Sequence, residues 1–138
     1  MENTEFIRDN LQPVFLGNTS EARRLAARLY KKYRIVPYIC DSKKSLLSRF
    51  ALHYTLINVS QVDAEEQLCE ELTYLVALDS VPVYVAVPFK REYSEFLKEN
   101  RQRLESHYVF RNPHDILSNL PFINNENGGQ GNDASFSS

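Results

Sequence analysis

Residues 13–33 read Pro-Val-Phe-Leu-Gly-Asn-Thr-Ser-Glu-Ala-Arg-Arg-Leu-Ala-Ala-Arg-Leu-Tyr-Lys-Lys-Tyr, a short apolar run delivered through one glycine into an amphipathic helix pattern. Pro13 to Leu16 is apolar without alternation, as a strand covered on both faces requires. Gly17 closes it. Asn18 followed by Glu21 has capping-box spacing, with Asn18, Thr19 or Ser20 able to accept a bond from the first helical turn. Ala22, Leu25, Ala26, Leu29 and Tyr33 recur at helical spacing, and Arg23, Arg24, Arg28, Lys31 and Lys32 occupy the rest of the surface. A strand leading straight into a helix is the first half of a crossover to a parallel neighbour.

The same alternation continues along the chain. Ile35 to Cys40 is a second apolar run, with Pro37 weakening or bending it. Asp41-Ser42 forms a strand-end turn, Lys43 to Ala51 a short helical segment, and Tyr54 to Val59 a third strand. From Asp63 to Leu78, Ala64, Leu68, Leu72, Leu75 and Val76 mark an amphipathic helix. Its first half holds Glu65, Glu66, Glu70 and Glu71, where the helix dipole favours acids. Val81 to Val87 is the strongest strand pattern; Tyr93, Phe96, Leu97 and Leu104 carry one helix to about Glu105. Tyr108 to Phe110 is a short edge strand, and Asn112-Pro113 starts a last helical turn through Leu117. The pattern implies a Rossmann-like three-layer α/β/α domain over residues 12–123, with a five-stranded, mostly parallel sheet of order 3-2-1-4-5. Residues 1–11 read as an N-terminal extension. Three of the four glycines fall within the polar segment 124–138, which reads as a disordered tail.

Composition narrows the class further. With 138 residues, 43% of them hydrophobic, the chain can build a real core. A net charge of −2, with Lys and Arg spread along helices, argues against a nucleic-acid partner. The acidic start Met-Glu-Asn-Thr-Glu is no signal peptide, and no run approaches a membrane span, so a cytoplasmic protein without membrane partners is expected. Cys40 and Cys69 read as reduced core thiols, and His53, His107 and His114 lack metal-ligand spacing.

A ligand of such a fold belongs at the topological switch point, where the loops after strands one and four part. The candidate ligand-binding residues are Gly17, Asn18, Thr19 and Ser20 after strand one, Asp41 and Ser42 after strand two, and Lys90 after strand four. Against the G-x-G-x-x-G pattern of dinucleotide folds, the run Gly17 to Ala22 keeps the first glycine, has Thr19 at the second and Ala22 at the third. A Cβ at Thr19 stands where pyrophosphate would approach, and Glu21 would repel it. Three readings stay open: NAD(P) binding, a weaker phosphate or carboxylate contact, and a purely structural turn. Asp41 stands near the position of a ribose-binding acid, or caps the following helix. Ser42, Ser45, Ser48 and Arg49 form a polar helical face, either solvated or in contact with substrate. In Pro88-Phe89-Lys90-Arg91-Glu92, Lys90 is either a surface cation or one that approaches an anion held by the first loop. No Ser-His-Asp or Cys-His set and no facing carboxylate pair is visible, so no catalytic residue and no metal site is assigned.

Several segments together resemble the pre-ATP-grasp domain of ATP-grasp ligases, nearest to carbamoyl-phosphate synthase-like carboxylate–amine ligases. They are Pro-Val-Phe-Leu-Gly, the helix ending Tyr-Lys-Lys-Tyr, Ile-Val-Pro-Tyr-Ile-Cys-Asp, and Ser48-Arg49-Phe50-Ala51 before Tyr54 to Val59. Val83 to Pro88, Asn100-Arg101-Gln102-Arg103-Leu104, Tyr108-Val109-Phe110 and Asn112-Pro113 complete the likeness, which spans roughly residues 12–121. In complete ligases the closing strand leads into the ATP-grasp domain, which holds the nucleotide and the metal-binding acids; here the polar tail follows. The resemblance thus implies a fragment, subunit or degenerate relative of an ATP-dependent ligase, inactive alone. It has no cofactor of its own, ATP and Mg2+ being held by a separate ATP-grasp domain. That domain, or self-association, is the partner expected. The family's acidic residue after the strand-four proline is replaced by Phe89-Lys90, which puts a ligand role for that loop in doubt. A second, local resemblance covers eight residues: Leu16-Gly17-Asn18-Thr19-Ser20-Glu21-Ala22-Arg23 is similar to the opening of precorrin reductases, with Asn18 where they carry a second glycine. It implies a small NADPH-binding protein.

Overall fold

The computed structural model describes residues 4–41, 53–58, 64–78 and 81–116. Within them five strands form one all-parallel sheet of order β3-β2-β1-β4-β5. In chain order the elements are α1 (Thr4–Asn10), β1 (Leu11–Leu16), α2 (Ser20–Tyr33), β2 (Tyr38–Asp41), β3 (Thr55–Asn58), α3 (Ala64–Leu78), β4 (Val83–Pro88), α4 (Arg91–Glu99), α5 (Arg101–Leu104) and β5 (Tyr108–Phe110). A 3-10 turn at Pro113–Asp115 follows.

The central strands send alternate residues to two separate cores, as a period of two demands. Val14, Leu16, Cys40, Tyr84 and Ala86 join Leu68, Leu72 and Leu75 of α3 and Phe96, Leu97 and Leu104 of α4 and α5. Leu11, Phe15, Ile39, Val85 and Val87 join Ile7 of α1 and all five apolar positions read on α2, Ala22, Leu25, Ala26, Leu29 and Tyr33. The connection leaving β1 thus packs on one face, whereas those leaving β3 and β4 pack on the other. Right-handed crossovers require this exchange of faces once the strand order reverses at β1.

Two prolines are accommodated where no ladder donor is needed. Pro13 lies in the central strand, but pairing of β1 with β2 begins only at Val14↔Tyr38. The Gln12 side-chain amide donates to the Pro13 carbonyl at 3.0 Å and reaches the Val36 carbonyl at 3.2 Å. Pro37 precedes β2 rather than bending it, and its carbonyl accepts from the Thr55 amide at 2.9 Å. On the other face, Tyr108 and Tyr84 donate their hydroxyls to the Leu72 and Leu75 carbonyls, at 2.7 and 3.3 Å, and so dock α3 on the sheet.

Several sequence expectations need correction. The extension expected over 1–11 contains helix α1 and the first residue of β1, and Ile7 and Leu11 are buried. The helix expected to run to Glu105 divides at Asn100 into α4 and α5. There the buried Asn100 side chain donates to the Phe96 carbonyl at 3.0 Å, and its Oδ1 accepts from the Cys69 thiol at 3.4 Å. An amide bonding back to a backbone carbonyl competes with helix propagation. The fourth strand runs from Val83 to Pro88 rather than from Val81 to Val87, and the third is Thr55–Asn58. The helical segment expected over 43–51, the polar face of Ser42, Ser45, Ser48 and Arg49, and the tail 124–138 lie outside the described residues. Among the described residues, no helix is long and apolar enough to cross a membrane.

Candidate functional site

The carboxyl ends of β2, β1 and β4 stand side by side, and the candidate site is built on their last residues. Each ladder of β1 is extended by one step: the Gly17 amide donates to the Cys40 carbonyl, and the Phe89 amide donates to the Leu16 carbonyl, each at 2.8 Å. At φ +120° Gly17 then turns the chain out of the sheet, in a region that L side chains rarely adopt. A Cβ here would lie 3.1 Å from Lys90 Cγ and 3.4 Å from Phe89 Cβ. The glycine therefore answers two needs, its own dihedral and the close passage of the Lys90 stem.

Next comes the start of α2. Thr19 is the residue that caps the helix, with extended φ −112° and ψ 166°, and its Oγ1 accepts from the Ala22 amide at 3.1 Å. Ala22 thus holds the third helical position, and the expected pairing of Asn18 with Glu21 in a capping box is not made, because the cap sits one residue later. Asn18 instead accepts from Arg23 through Oδ1 at 2.7 Å. Ser20 is the first residue of α2 and is exposed.

Asp41 is the centre of the arrangement. It ends β2, its side chain is only 5% exposed, and three groups from two other segments of the chain donate to it. The Asn18 amide reaches Oδ2 at 2.6 Å, Lys90 Nζ reaches the same oxygen at 2.8 Å, and the Tyr93 hydroxyl reaches Oδ1 at 3.0 Å. A buried carboxylate needs both a counter-charge and hydrogen bonds, and this one has them. Lys90 is the residue before α4, with an extended backbone, and its side chain crosses over Gly17 to reach β2. Phe89 beneath it packs on Phe15, ring centroids 4.9 Å apart.

Electrostatics hold the Tyr93 proton in place. Burial, reinforced by the Asp41 charge and by the hydrogen bond to it, raises the Tyr93 hydroxyl well above the usual tyrosine range. Tyr93 therefore serves as a donor and not as a base. Burial, with Glu71 and Asp41 adding to it, likewise pushes the Cys40 thiol far up, and a thiol held protonated is a poor nucleophile. Cys40 and Cys69 are both buried and in no disulfide. Among the described residues, no group of three or more His, Cys, Asp and Glu side chains could hold a metal ion.

Of the predicted site residues, the fold brings Gly17, Asn18, Asp41 and Lys90 into one contact network. Thr19 and Ser20 flank it at the start of α2, as cap and first helical residue, and Ser42 lies outside the described residues. Lys90 approaches the Asp41 carboxylate. Sequence reasoning missed Tyr93, read only as an apolar face residue. The available signal was its place three residues after Lys90, on the same side of the helix as a candidate cation. No family model matches the chain, nor does any curated protein or solved structure.

Proposed function

We propose that the chain is a Rossmann-like module without catalytic activity of its own, of the type that precedes an ATP-grasp domain in carboxylate–amine ligases. It would act as a part, subunit or degenerate relative of such a ligase. In this reading ATP and Mg2+ belong to a separate ATP-grasp domain and the module contributes shape. The observation that carries it is the engagement of Asp41. The acid best placed for chemistry at the strand ends is bonded by the Asn18 amide, Lys90 and Tyr93 of the same chain. A catalytic or ribose-binding carboxylate needs an oxygen turned towards its substrate. The order of the sheet, with its switch point between β1 and β4, agrees with the sequence resemblance at the level of fold.

The NADPH-binding alternative has less to support it. Thr19, at the second glycine position, is committed to capping α2, and the Lys90 stem lies across Gly17 where a pyrophosphate would have to approach.

Thermal unfolding of the purified chain in the presence of ATP with Mg2+, NAD or NADPH tests both readings. Saturation at ~100 times a dissociation constant adds ~2.7 kcal/mol to stability, so a real site would be plain. The module reading expects no shift, and no phosphate release when ATP is supplied with an amino acid and a carboxylate. A shift with NADPH alone supports the alternative, and turnover of ATP refutes the first reading outright. A neighbouring gene encoding an ATP-grasp domain without its N-terminal part would supply the partner.

A further inference from the structure

We propose that Lys90 is a releasable strap over the switch-point crevice and Asp41 its catch, so that the turns after β1 and β4 open and close as one unit. This stands whether or not the ligase-type reading holds.

The topology creates the need for such a tie. The turn after β1 leads to α2 on one face of the sheet, and the turn after β4 leads to α4 on the other. Beyond the last ladder bond, at Phe89, the two turns diverge, which is what makes a crevice at this point in open α/β sheets. Lys90 closes it. Its stem passes over Gly17 with room only because no Cβ is present, and its ammonium ends on a carboxylate of the next strand but one.

The two partners are unequal, and the inequality says which one moves. Asp41 is 5% exposed and also accepts from Asn18 and Tyr93, whereas the Lys90 side chain is 35% exposed. A lysine that reaches water regains hydration and rotamer freedom when it lets go, and this offsets part of the cost of leaving the buried carboxylate on its Asn18 and Tyr93 bonds alone. Asp41 Oδ2 is shared by the Lys90 ammonium at 2.8 Å and the Asn18 amide at 2.6 Å. Release of the first therefore changes the bond that holds the second, and the β1–α2 turn feels what happens at α4. Tyr93, on Oδ1, keeps the catch in place meanwhile. A molecule entering the opened crevice must bring its own donor to Oδ2.

Amide hydrogen exchange on the full chain, followed residue by residue, reads the opening directly. Lys90→Met should speed exchange at Asn18 about tenfold, while the amides of Phe15 and Val85 in the same sheet stay unchanged. Tyr93→Phe should give a smaller acceleration at the same amide. Arg103→Met, which removes the exposed pair with Glu66 on another part of the surface, should give none. If Asn18 in Lys90→Met is unaffected, or slows and speeds only together with Phe15 and Val85, the strap is refuted and Lys90 is an ordinary ion pair. Should Lys90→Met not fold, Lys90→Gln is read in the same way. The unmodified protein offers a second check: Asn18 must exchange faster than Phe15, and equal rates would overturn the proposal.

Discussion

Asp41 and Asn100 are the buried polar residues among those described, 4% and 7% exposed, and the fold treats them in opposite ways. Asp41 is charged, and its donors Asn18, Lys90 and Tyr93 come from two other segments of the chain, 23, 49 and 52 residues away. Asn100 is neutral and bonds one turn back, to the Phe96 carbonyl, with the Cys69 thiol as its distant neighbour. The first ties together loops that the sheet drives apart. The second divides α4 from α5 and touches α3 through one weak thiol bond. Burial of a polar group is thus no mark of function in itself; the charge and the number of its partners show what it holds.

The largest test of that contrast is Asp41→Ala. Removing the carboxylate leaves a half-buried ammonium and a half-buried amide without their acceptor, at a cost of about 3 kcal/mol. Denaturant unfolding measures the loss, and chemical shifts should move in both the β1–α2 and β4–α4 turns. Shifts confined to β2 would break the comparison, because Asp41 would then tie no loops together.

Gly17→Ala comes next. The positive φ and the 3.1 Å approach of Lys90 Cγ act together, so a loss of about 2 kcal/mol is expected. In the double variant Gly17→Ala with Lys90→Ala only the dihedral part should remain, and a double-mutant cycle separates the two. Full additivity would mean that the Lys90 stem does not press on the turn.

Asn100→Ala should cost less, about 1 kcal/mol, because the bonds lost are neutral and one is to sulfur. Its spectral effects belong to α4, α5 and the α3 surface around Cys69, with none at Asn18.

These two sites also differ in how far they could be read from the sequence. The layer order followed from alternating β and α periods, and the five apolar residues of α2 are buried as their spacing required. Gly17, Asp41 and Lys90 were legible because topology alone sends the ends of β1, β2 and β4 to one place. Their bonding was not. Whether Lys90 meets a ligand or Asp41 depends on side-chain reach across two strands, which no spacing encodes. Helix α1 was hidden for a different reason: in seven residues only Phe6 and Ile7 are apolar, so no period can be seen, and Ile7 is fixed by a core assembled from distant segments. The break at Asn100 was hidden too, since Phe96, Leu97 and Leu104 keep helical phase across it, and only the burial of the amide shows why the chain turns there.

The smallest expected effect concerns Tyr93. At neutral pH Tyr93→Phe gives up one hydrogen bond to a carboxylate that retains others, a loss of about 1 kcal/mol. Alkali should reduce even that difference. The folded state holds the Tyr93 proton more tightly than the unfolded chain does, so above the ordinary tyrosine value of ~10 the unfolded state loses its proton first and stability falls as pH rises. Tyr108, raised chiefly by burial, acts in the same sense, and Cys40 does so from about pH 9 upwards. Tyr93→Phe removes one of these contributions and leaves the other two. Its stability should therefore decline less steeply above pH 10 than that of the unmodified protein, and the two curves should converge. Thr19→Ala, which removes a cap bond to the Ala22 amide, should run parallel to the unmodified protein over the same range. Parallel curves for Tyr93→Phe as well would mean that the hydroxyl is not bonded to Asp41 in solution, and the charged, long-range site would lose one of its three ties.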